Sequence, residues 1–127
     1  MARIAVVDDA KFMRLVLKRI LTQAGHEVIA EGQTGVDAVE IWARDKPDCM
    51  TLDIVMPKQN GIEAVKQIIS FDPHAKIVMV TALGQEAFVL EAIKSGAREF
   101  IIKPLRMKRS LRQLQRQLVQ LINSTSQ

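Results

Sequence analysis

Cysteine, glycine, proline and long apolar runs are all scarce in this chain of 127 residues, and each scarcity excludes a class of protein. Because Cys49 is the only cysteine, no disulfide can form within the chain, which predicts a reducing compartment. Six glycines and four prolines are too few for a collagen-like or low-complexity protein. No apolar run approaches the roughly 20 residues that a membrane-spanning helix needs, and Asp8 and Asp9 interrupt the N-terminus before a signal peptide could develop. We therefore expect a cytoplasmic protein without a membrane contact.

The composition predicts one globular domain. Hydrophobic residues make up 48% of the chain and charged residues 25%, so one sizeable core can be buried, whereas two domains of ordinary size would need a longer chain. We expect residues 1–122 to form this domain. Residues 123–127 are expected to be a frayed C-terminal tail or the beginning of a linker.

Positive charge is concentrated near the end of the chain. Residues 98–127 carry seven basic side chains and one acidic one, within a formal net charge of +4. Arg109, Arg112 and Arg116 recur at helical spacing, so they form either a solvated helix face or a docking surface for an acidic partner. No helix-turn-helix or other DNA-binding motif follows these arginines, which disfavours nucleic acid as the partner.

Short apolar runs alternate with longer amphipathic segments, which is the pattern of strand and helix units around a parallel sheet. Five strands are predicted, at residues 3–7, 27–30, 49–52, 76–81 and 99–102. Three of these runs are almost continuously apolar, as is typical of strands that are buried on both faces. The sequence therefore predicts an α/β fold, a doubly wound (βα)5 parallel sheet with helices on both faces.

Capping residues and turn signals delimit the helices between these strands. Thr34 followed by Asp37 resembles a capping box, which predicts a second helix that runs to about residue 44. Gly25 can end the first helix from a left-handed conformation, and Gly96 can end the fourth helix. A third helix is expected after Asn60 and is predicted to end near residue 70, and a last one is predicted from about residue 107 to about residue 122.

Two of the helices have recognisable apolar stripes. The stripe of the first helix is expected to consist of Phe12, Val16, Ile20 and Leu21. The stripe of the last helix is expected to consist of Leu111, Leu114, Leu118 and Leu121. Packing on the sheet is the simplest interpretation of the leucine stripe, since it is too short for a convincing coiled coil. His26, His74 and Trp42 are interpreted as structural: the histidines at the surface beside turns, the tryptophan in packing.

Polar side chains follow four of the predicted strands, where a sheet of this kind binds its ligands. Asp8 and Asp9 follow the first strand, Asp53 the third, and Lys103 the fifth, while Thr81 ends the fourth. In a parallel sheet these residues meet at one edge. Three carboxylates so close together repel one another, and a bound cation relieves the repulsion. Mg²⁺ fits because it prefers oxygen ligands, keeps several waters and bridges carboxylates to phosphate.

The other residues at this edge are those that a phosphoryl group requires. Lys103 contributes a positive charge and Thr81 a hydroxyl donor, which can neutralise and position phosphoryl oxygens. Asp53 directly follows the central strand and is the best placed carboxylate to act as nucleophile, forming an acyl phosphate.

Five motifs in this order and spacing resemble the receiver domain of two-component response regulators, and the similarity spans essentially the whole chain. The start of the first helix and the segment after Thr81 are most similar to stand-alone chemotaxis regulators of the CheY-like type. The resemblance implies the flavodoxin-like strand order 2-1-3-4-5. The motifs are Val6-Val7-Asp8-Asp9, Leu52-Asp53-Ile54-Val55-Met56-Pro57, Asn60-Gly61, Val80-Thr81-Ala82 and Phe100-Ile101-Ile102-Lys103-Pro104.

The resemblance implies a role for each matching residue. Asp53 matches the phosphoacceptor, and Lys103 matches the lysine that pairs with the phosphoryl group. Thr81 and Phe100 match the switch pair, in which the aromatic ring follows the hydroxyl towards the phosphate. Pro104 matches a proline that follows a cis peptide bond. The implied Mg²⁺ ligands are Asp8, Asp9, Asp53 and the backbone carbonyl of Val55.

Two positions depart from the fast-decaying members of the family. Val55 and Leu83 occupy the positions that tune hydrolysis of the acyl phosphate and that are often polar. Because apolar side chains hinder an attacking water, we expect a longer-lived phosphorylated form.

The resemblance implies a signalling protein, not a turnover enzyme. A histidine kinase or phosphotransfer protein would phosphorylate Asp53, and the face formed by the fourth helix, the fifth strand and the last helix would then bind a target protein. A monomer or a weak phosphorylation-dependent dimer is expected. Alternatives are a receiver domain cut from a larger regulator with an output domain and, less favoured, a Mg²⁺-dependent aspartyl phosphatase. That enzyme would need an acid two residues after its nucleophile, where this chain has Val55.

Overall fold

The computed structural model describes the backbone of residues 1–103 and 107–125 and the side chains of residues 1–103 and 112–123. Five strands and five helices alternate along these residues. The strands are β1 (Arg3–Val7), β2 (Glu27–Gly32), β3 (Cys49–Leu52), β4 (Ile77–Thr81) and β5 (Glu99–Ile102). The helices are α1 (Lys11–Gln23), α2 (Gly35–Asp45), α3 (Gly61–Phe71), α4 (Glu86–Lys94) and α5 (Met107–Thr125). The cis peptide bond predicted before Pro104 lies outside the described residues.

The strands form a single parallel sheet in the order β2-β1-β3-β4-β5, which confirms the predicted fold and topology. β1 occupies the second position and pairs with both β2 and β3. β2 is two residues longer than predicted, since Glu31 and Gly32 also pair with β1, opposite Val6 and Val7. The register of this pair shifts between Ile4 and Ala5. Such irregularities increase the local twist of a sheet.

Apolar side chains alternate between the two faces of the sheet, and each face is covered by helices. Ala5, Val7, Met50 and Leu52 belong to a core that also contains residues of α2, α3 and α4. The residues between them along the strands face the other side, where α1 and α5 pack. Of the predicted α5 stripe, Leu114 and Leu118 are fully buried, Leu121 is partly buried, and Leu111 lies outside the described side chains.

The helix ends follow the local signals in the sequence. Thr34 and Asp37 form the predicted capping box, in which the Thr34 hydroxyl accepts a hydrogen bond from the Asp37 backbone at 3.0 Å. Gly25 and Gly96 both have a positive φ, of 90° and 115°, which a residue with a side chain adopts only at a cost. α5 runs to Thr125, three residues beyond the predicted end of this helix.

Two predictions about α1 and the base of the sheet were wrong. Phe12 is 55% exposed and takes no part in the buried stripe of α1; Leu17 is buried instead. His26 is buried, since its ring accepts a hydrogen bond from the Ala2 backbone at 3.0 Å and reaches the side chain of Asn123 at 3.1 Å. Position beside a turn indicates exposure only when no distant segment covers the residue.

Other structural predictions were confirmed. His74 is exposed, and Trp42 is buried with its indole N–H donating to Asp72 at 2.8 Å. Within the part of the chain that the structure describes, no helix combines the length and the apolar character that crossing a membrane requires.

Candidate functional site

Three carboxylates meet at the carboxyl edge of the sheet. Asp8 and Asp53 each follow the last residue of neighbouring strands, β1 and β3, in which Val7 lies opposite Leu52. Asp9 is the next residue along the chain, and one oxygen from each of the three carboxylates lies within 4.8 Å of the others. Asp8 and Asp53 are buried, whereas Asp9 is exposed. The strand order therefore assembles the acidic cluster that the sequence predicts.

Backbone hydrogen bonds hold the two buried carboxylates in place. The N–H of Asp8 donates to the carbonyl of Gly32 at 3.0 Å, and the N–H of Asp53 donates to the carbonyl of Val7 at 3.1 Å. Each side chain accepts one further backbone N–H: Asp8 Oδ1 from Ala10 at 2.9 Å, and Asp53 Oδ1 from Ile54 at 2.7 Å. One oxygen of each carboxylate is thus occupied locally, and the other lies at the centre of the cluster.

Lys103 brings positive charge to both of these inner oxygens. Its ammonium lies 2.7 Å from Asp8 Oδ2 and 2.9 Å from Asp53 Oδ2, and the lysine follows β5 at the same edge of the sheet. Burial alone would lower the pKa of Lys103, but hydrogen bonds to the two carboxylates outweigh it and raise that pKa. Burial raises the pKa of Asp8, more than the lysine lowers it. With one ammonium beside three carboxylates, the cluster has an excess of negative charge.

The donor set fits a hard divalent cation. All three acidic side chains offer carboxylate oxygens, which Mg²⁺ prefers, and they converge without a nitrogen or sulfur donor among them. Asp9 lies on the exposed side of the cluster, so an ion held here could keep water ligands. A cation would also relieve the burial of the Asp8 charge.

Thr81 and Phe100 lie on neighbouring strands and share one face of the sheet. Thr81 is fully buried at the end of β4, and its hydroxyl accepts a hydrogen bond from the backbone of Leu83 at 3.3 Å. Its carbonyl accepts the backbone N–H of Lys103 at 2.7 Å. Phe100 is partly buried and packs against the core on the α2, α3 and α4 side. Of the two predicted switch residues, Thr81 is therefore hydrogen-bonded to the backbone of Lys103, and Phe100 lies on the neighbouring strand.

The two predicted tuning residues differ in their surroundings. Val55, in the loop after β3, is 56% exposed. Leu83 follows β4 and is partly buried against the core. Val55 is therefore open to solvent, whereas Leu83 is partly covered.

Sequence reasoning missed two residues that shape the site. Gly61 was identified at a helix start and in the Asn60-Gly61 motif, but no role at the site was given to it. It donates its N–H to Ile54 at 2.8 Å, and a Cβ there would overlap the carbonyl oxygen of Asp53. Arg14 lies in α1, yet its side chain is buried and donates to the carbonyl of Asp8 at 2.7 Å. The Asn60-Gly61 pair could have indicated a role for Gly61. No sequence pattern distinguishes Arg14 from the exposed basic residues of α1.

Sequence comparisons connect this geometry with a known family. Residues 4–115 match the family described as the response regulator receiver domain. The chemotaxis protein CheY of Thermotoga maritima is 52% identical over 107 residues, covering 84% of this chain and 89% of that protein. The chemotaxis protein CheY of Listeria monocytogenes is 45% identical over 116 residues, covering 91% of this chain and 98% of that protein.

Solved structures agree with the sequence comparisons. The response regulator domain of Thermotoga maritima CheB superposes with a TM-score of 0.89 at 40% identity, covering 98% of this chain and 95% of that one. In a CheX-CheY-BeF3-Mg²⁺ complex from Borrelia burgdorferi, a chain superposes with a TM-score of 0.84 at 32% identity, covering 94% of this chain and 88% of that one. The carboxylate edge, the strand order and these relatives lead to one conclusion: the chain belongs to the response regulator receiver family.

Proposed function

We propose that this protein is a stand-alone chemotaxis response regulator whose Asp53 accepts a phosphoryl group from a histidine kinase or phosphotransfer protein. The observation that carries the proposal is the contact of Lys103 with both Asp8 and Asp53, which brings a nucleophile, a metal-ligating acid and a phosphate-pairing cation within one cluster. The similarity to two chemotaxis proteins over most of their length supports the pathway.

The proposed reaction forms an acyl phosphate on Asp53. A carboxylate oxygen attacks the phosphorus of a phosphohistidine, the P–N bond breaks, and its electron pair returns to the imidazole, which takes up a proton. Lys103, already against the acceptor oxygen, pairs with a phosphoryl oxygen. Held by Asp8, Asp9, Asp53 and the carbonyl of Val55, Mg²⁺ would supply further positive charge to the phosphoryl oxygens.

Phosphorylation would change the surface through the switch pair. A phosphoryl oxygen attracts the Thr81 hydroxyl away from the Leu83 backbone, and Phe100 moves into the space that the hydroxyl leaves. Three large apolar side chains are exposed on α4 and at the end of β5, and they support this face, completed by α5, as the target-binding surface: Leu90, Ile93 and Ile102.

A Mg²⁺-dependent phosphatase and a receiver domain with an attached output domain are the alternatives. The phosphatase is disfavoured because the residue two positions after Asp53 is Val55, which cannot act as an acid or base. The receiver domain with an output domain is less favoured by the identities. The match to a methylesterase of Thermotoga maritima, which covers 30% of that protein, has 45% identity, whereas the CheY protein of the same organism has 52%. We propose slow self-dephosphorylation without turnover, a cytoplasmic location, and a monomer or weak phosphorylation-dependent dimer.

Incubation with Mg²⁺ and acetyl phosphate tests the proposed function. Intact mass spectrometry should show one added phosphoryl group per chain, and excess EDTA should prevent its appearance. A pull-down with beryllofluoride-loaded and unloaded protein should then recover partners that depend on the loaded state. No adduct with acetyl phosphate, phosphoramidate or a phosphorylated kinase would contradict the proposal, and multiple-turnover release of phosphate from simple esters would favour the phosphatase instead.

The apolar tuning positions give a prediction about the lifetime of the acyl phosphate. Val55→Asn should accelerate its loss by roughly 3-fold to 10-fold, because an amide can position an attacking water where the valine cannot. The decay is measured as phosphate release after the donor has been removed. Val36→Asn, which changes an exposed valine in α2, is the matched control and should leave the rate unchanged. An equal rate in wild type and Val55→Asn would contradict the role of this position.

A further inference from the structure

Arg14 is a buried cation next to the carboxylate cluster, and it contacts no carboxylate there. Its guanidinium Nη1 donates to the backbone carbonyl of Asp8 at 2.7 Å. On its other side, Nε lies 3.7 Å from Glu31 at the end of β2, and Lys18 lies 3.5 Å from the same glutamate. Only 9% of Arg14 is exposed, whereas the side chain of Lys18 is about half exposed.

Burial of an arginine is costly unless its N–H groups donate hydrogen bonds, and the buried Arg14 donates one to Asp8. The hydrogen bond from Arg14 fixes the peptide unit between Asp8 and Asp9, because the carbonyl of Asp8 belongs to that unit. The N–H of Asp8 is already held by Gly32 at 3.0 Å, and the carbonyl is held by Arg14. With both ends of Asp8 bonded, the direction in which the chain continues to Asp9 is defined.

Asp9 depends on this peptide more than the other two acids do. Asp8 and Asp53 both contact Lys103, and each accepts a backbone N–H. Within residues 1–103 and 112–123, no hydrogen bond or ion pair holds the carboxylate of Asp9. Its oxygen nevertheless lies within 4.8 Å of those of Asp8 and Asp53. The backbone is what brings it there.

We infer that Arg14 is a positioning residue for the proposed Mg²⁺ site, holding the Asp8–Asp9 peptide so that the two carboxylates converge with Asp53. This inference rests on the proposed function, because it assigns a role toward the cation of that site. Partners that orient metal ligands typically contribute 10-fold to 100-fold to metal affinity.

The sign of the effect distinguishes positioning from simple electrostatics. A guanidinium close to the site repels a divalent cation, so an effect of its charge alone predicts tighter Mg²⁺ binding when Arg14 is replaced by a neutral residue. Positioning predicts weaker binding, because Asp9 is no longer directed into the cluster. The two explanations therefore predict opposite changes.

Titration calorimetry with MgCl₂ on the full chain provides the test. Arg14→Gln should bind Mg²⁺ about 10-fold or more weakly than wild type. Lys18→Gln is the matched control: it also removes one positive charge that faces Glu31, without touching Asp8, and should stay within about 2-fold. Glu31→Gln, which keeps the bond from Arg14 to Asp8, should also stay within about 3-fold.

A second readout separates positioning from general damage. At saturating Mg²⁺, labelling of Arg14→Gln by acetyl phosphate should return to within about 3-fold of wild type, since Asp53 and Lys103 are unchanged. Arg14→Lys keeps a donor and should recover part of the affinity. Arg14→Met, which has neither the charge nor the donor, replaces Arg14→Gln if that variant does not fold. Mg²⁺ binding by Arg14→Gln, or by its substitute, that is equal to or tighter than wild type would overturn the inference. A wild type that is labelled but binds no Mg²⁺ would overturn it as well, and absence of labelling contradicts the proposed function itself.

Discussion

Asp53→Asn is expected to abolish the phosphoryl adduct, a loss of roughly 100-fold or more in labelling rate. The amide oxygen can still accept the N–H of Ile54, as Asp53 Oδ1 does at 2.7 Å, so the local backbone keeps its support. The amide nitrogen and oxygen are poor nucleophiles towards phosphorus, and one partner of Lys103 loses its charge. Intact mass after incubation with acetyl phosphate and Mg²⁺ is the measurement.

Asp48→Asn is the matched control for this substitution. Asp48 directly precedes β3, at the opposite end of the strand from Asp53, and accepts the backbone N–H of Arg3 at 2.8 Å, a bond that asparagine can preserve. Its labelling should equal that of wild type. An adduct of undiminished amount on Asp53→Asn would show that a different residue accepts the phosphoryl group.

Gly61→Ala is expected to have the second largest effect, on stability and on labelling together. A Cβ at this position would overlap the carbonyl oxygen of Asp53 and lie 2.8 Å from its carbon and 2.9 Å from Ile54 Cα. These atoms are backbone and cannot move aside as a side-chain end can. We expect a loss of about 2 to 3 kcal/mol in the free energy of unfolding, and roughly 10 °C in melting temperature.

The same displacement should impair the chemistry, because the overlap pushes directly on the phosphoacceptor. A shift of the order of 1 Å at a reacting group can cost about 100-fold in rate, so labelling of Gly61→Ala should fall by at least about 10-fold at temperatures where the variant is folded. Thermal unfolding monitored by circular dichroism and labelling by acetyl phosphate are measured on the same samples.

Gly25→Ala separates this effect from the general cost of replacing a glycine. Gly25 has a φ of 90°, and a Cβ at this position would meet no atom within 4 Å, so alanine is strained there without a steric overlap. We expect a loss of about 1 kcal/mol in the free energy of unfolding and no change in labelling. Equal labelling by Gly61→Ala and Gly25→Ala would contradict the proposed pressure of a methyl group on Asp53.

Much of the fold could be predicted because its signals are local. β1, β3 and β5 have the predicted bounds, since each is a short apolar run bounded by polar or turn residues. The capping box of Thr34, the positive φ of Gly25 and the helix end at Gly96 were also predicted, because caps and turns depend on a few consecutive residues. The carboxylate edge followed from the rule that parallel strands end together.

The errors depend on where distant segments and whole helices pack. His26 is buried because Ala2 and Asn123, which are 24 and 97 residues away, meet at its ring. Phe12 is exposed because the buried side of α1 is rotated towards Leu17, Ile20 and Leu21. A helical wheel gives the spacing of a stripe, but which of two adjacent stripes is buried depends on where the helix lies against the sheet.

By itself, the sequence determined the alternation of strands and helices, the strand ends at which three acids, a threonine and a lysine occur, and the charge asymmetry along the chain. The tertiary structure alone decided that Lys103 bridges Asp8 and Asp53, that Arg14 holds the carbonyl of Asp8, and that Gly61 lies against the backbone of Asp53. The physical reason is that hydrophobic periodicity and caps act within a few residues, whereas these contacts require two or three elements packed at distances of a few ångströms.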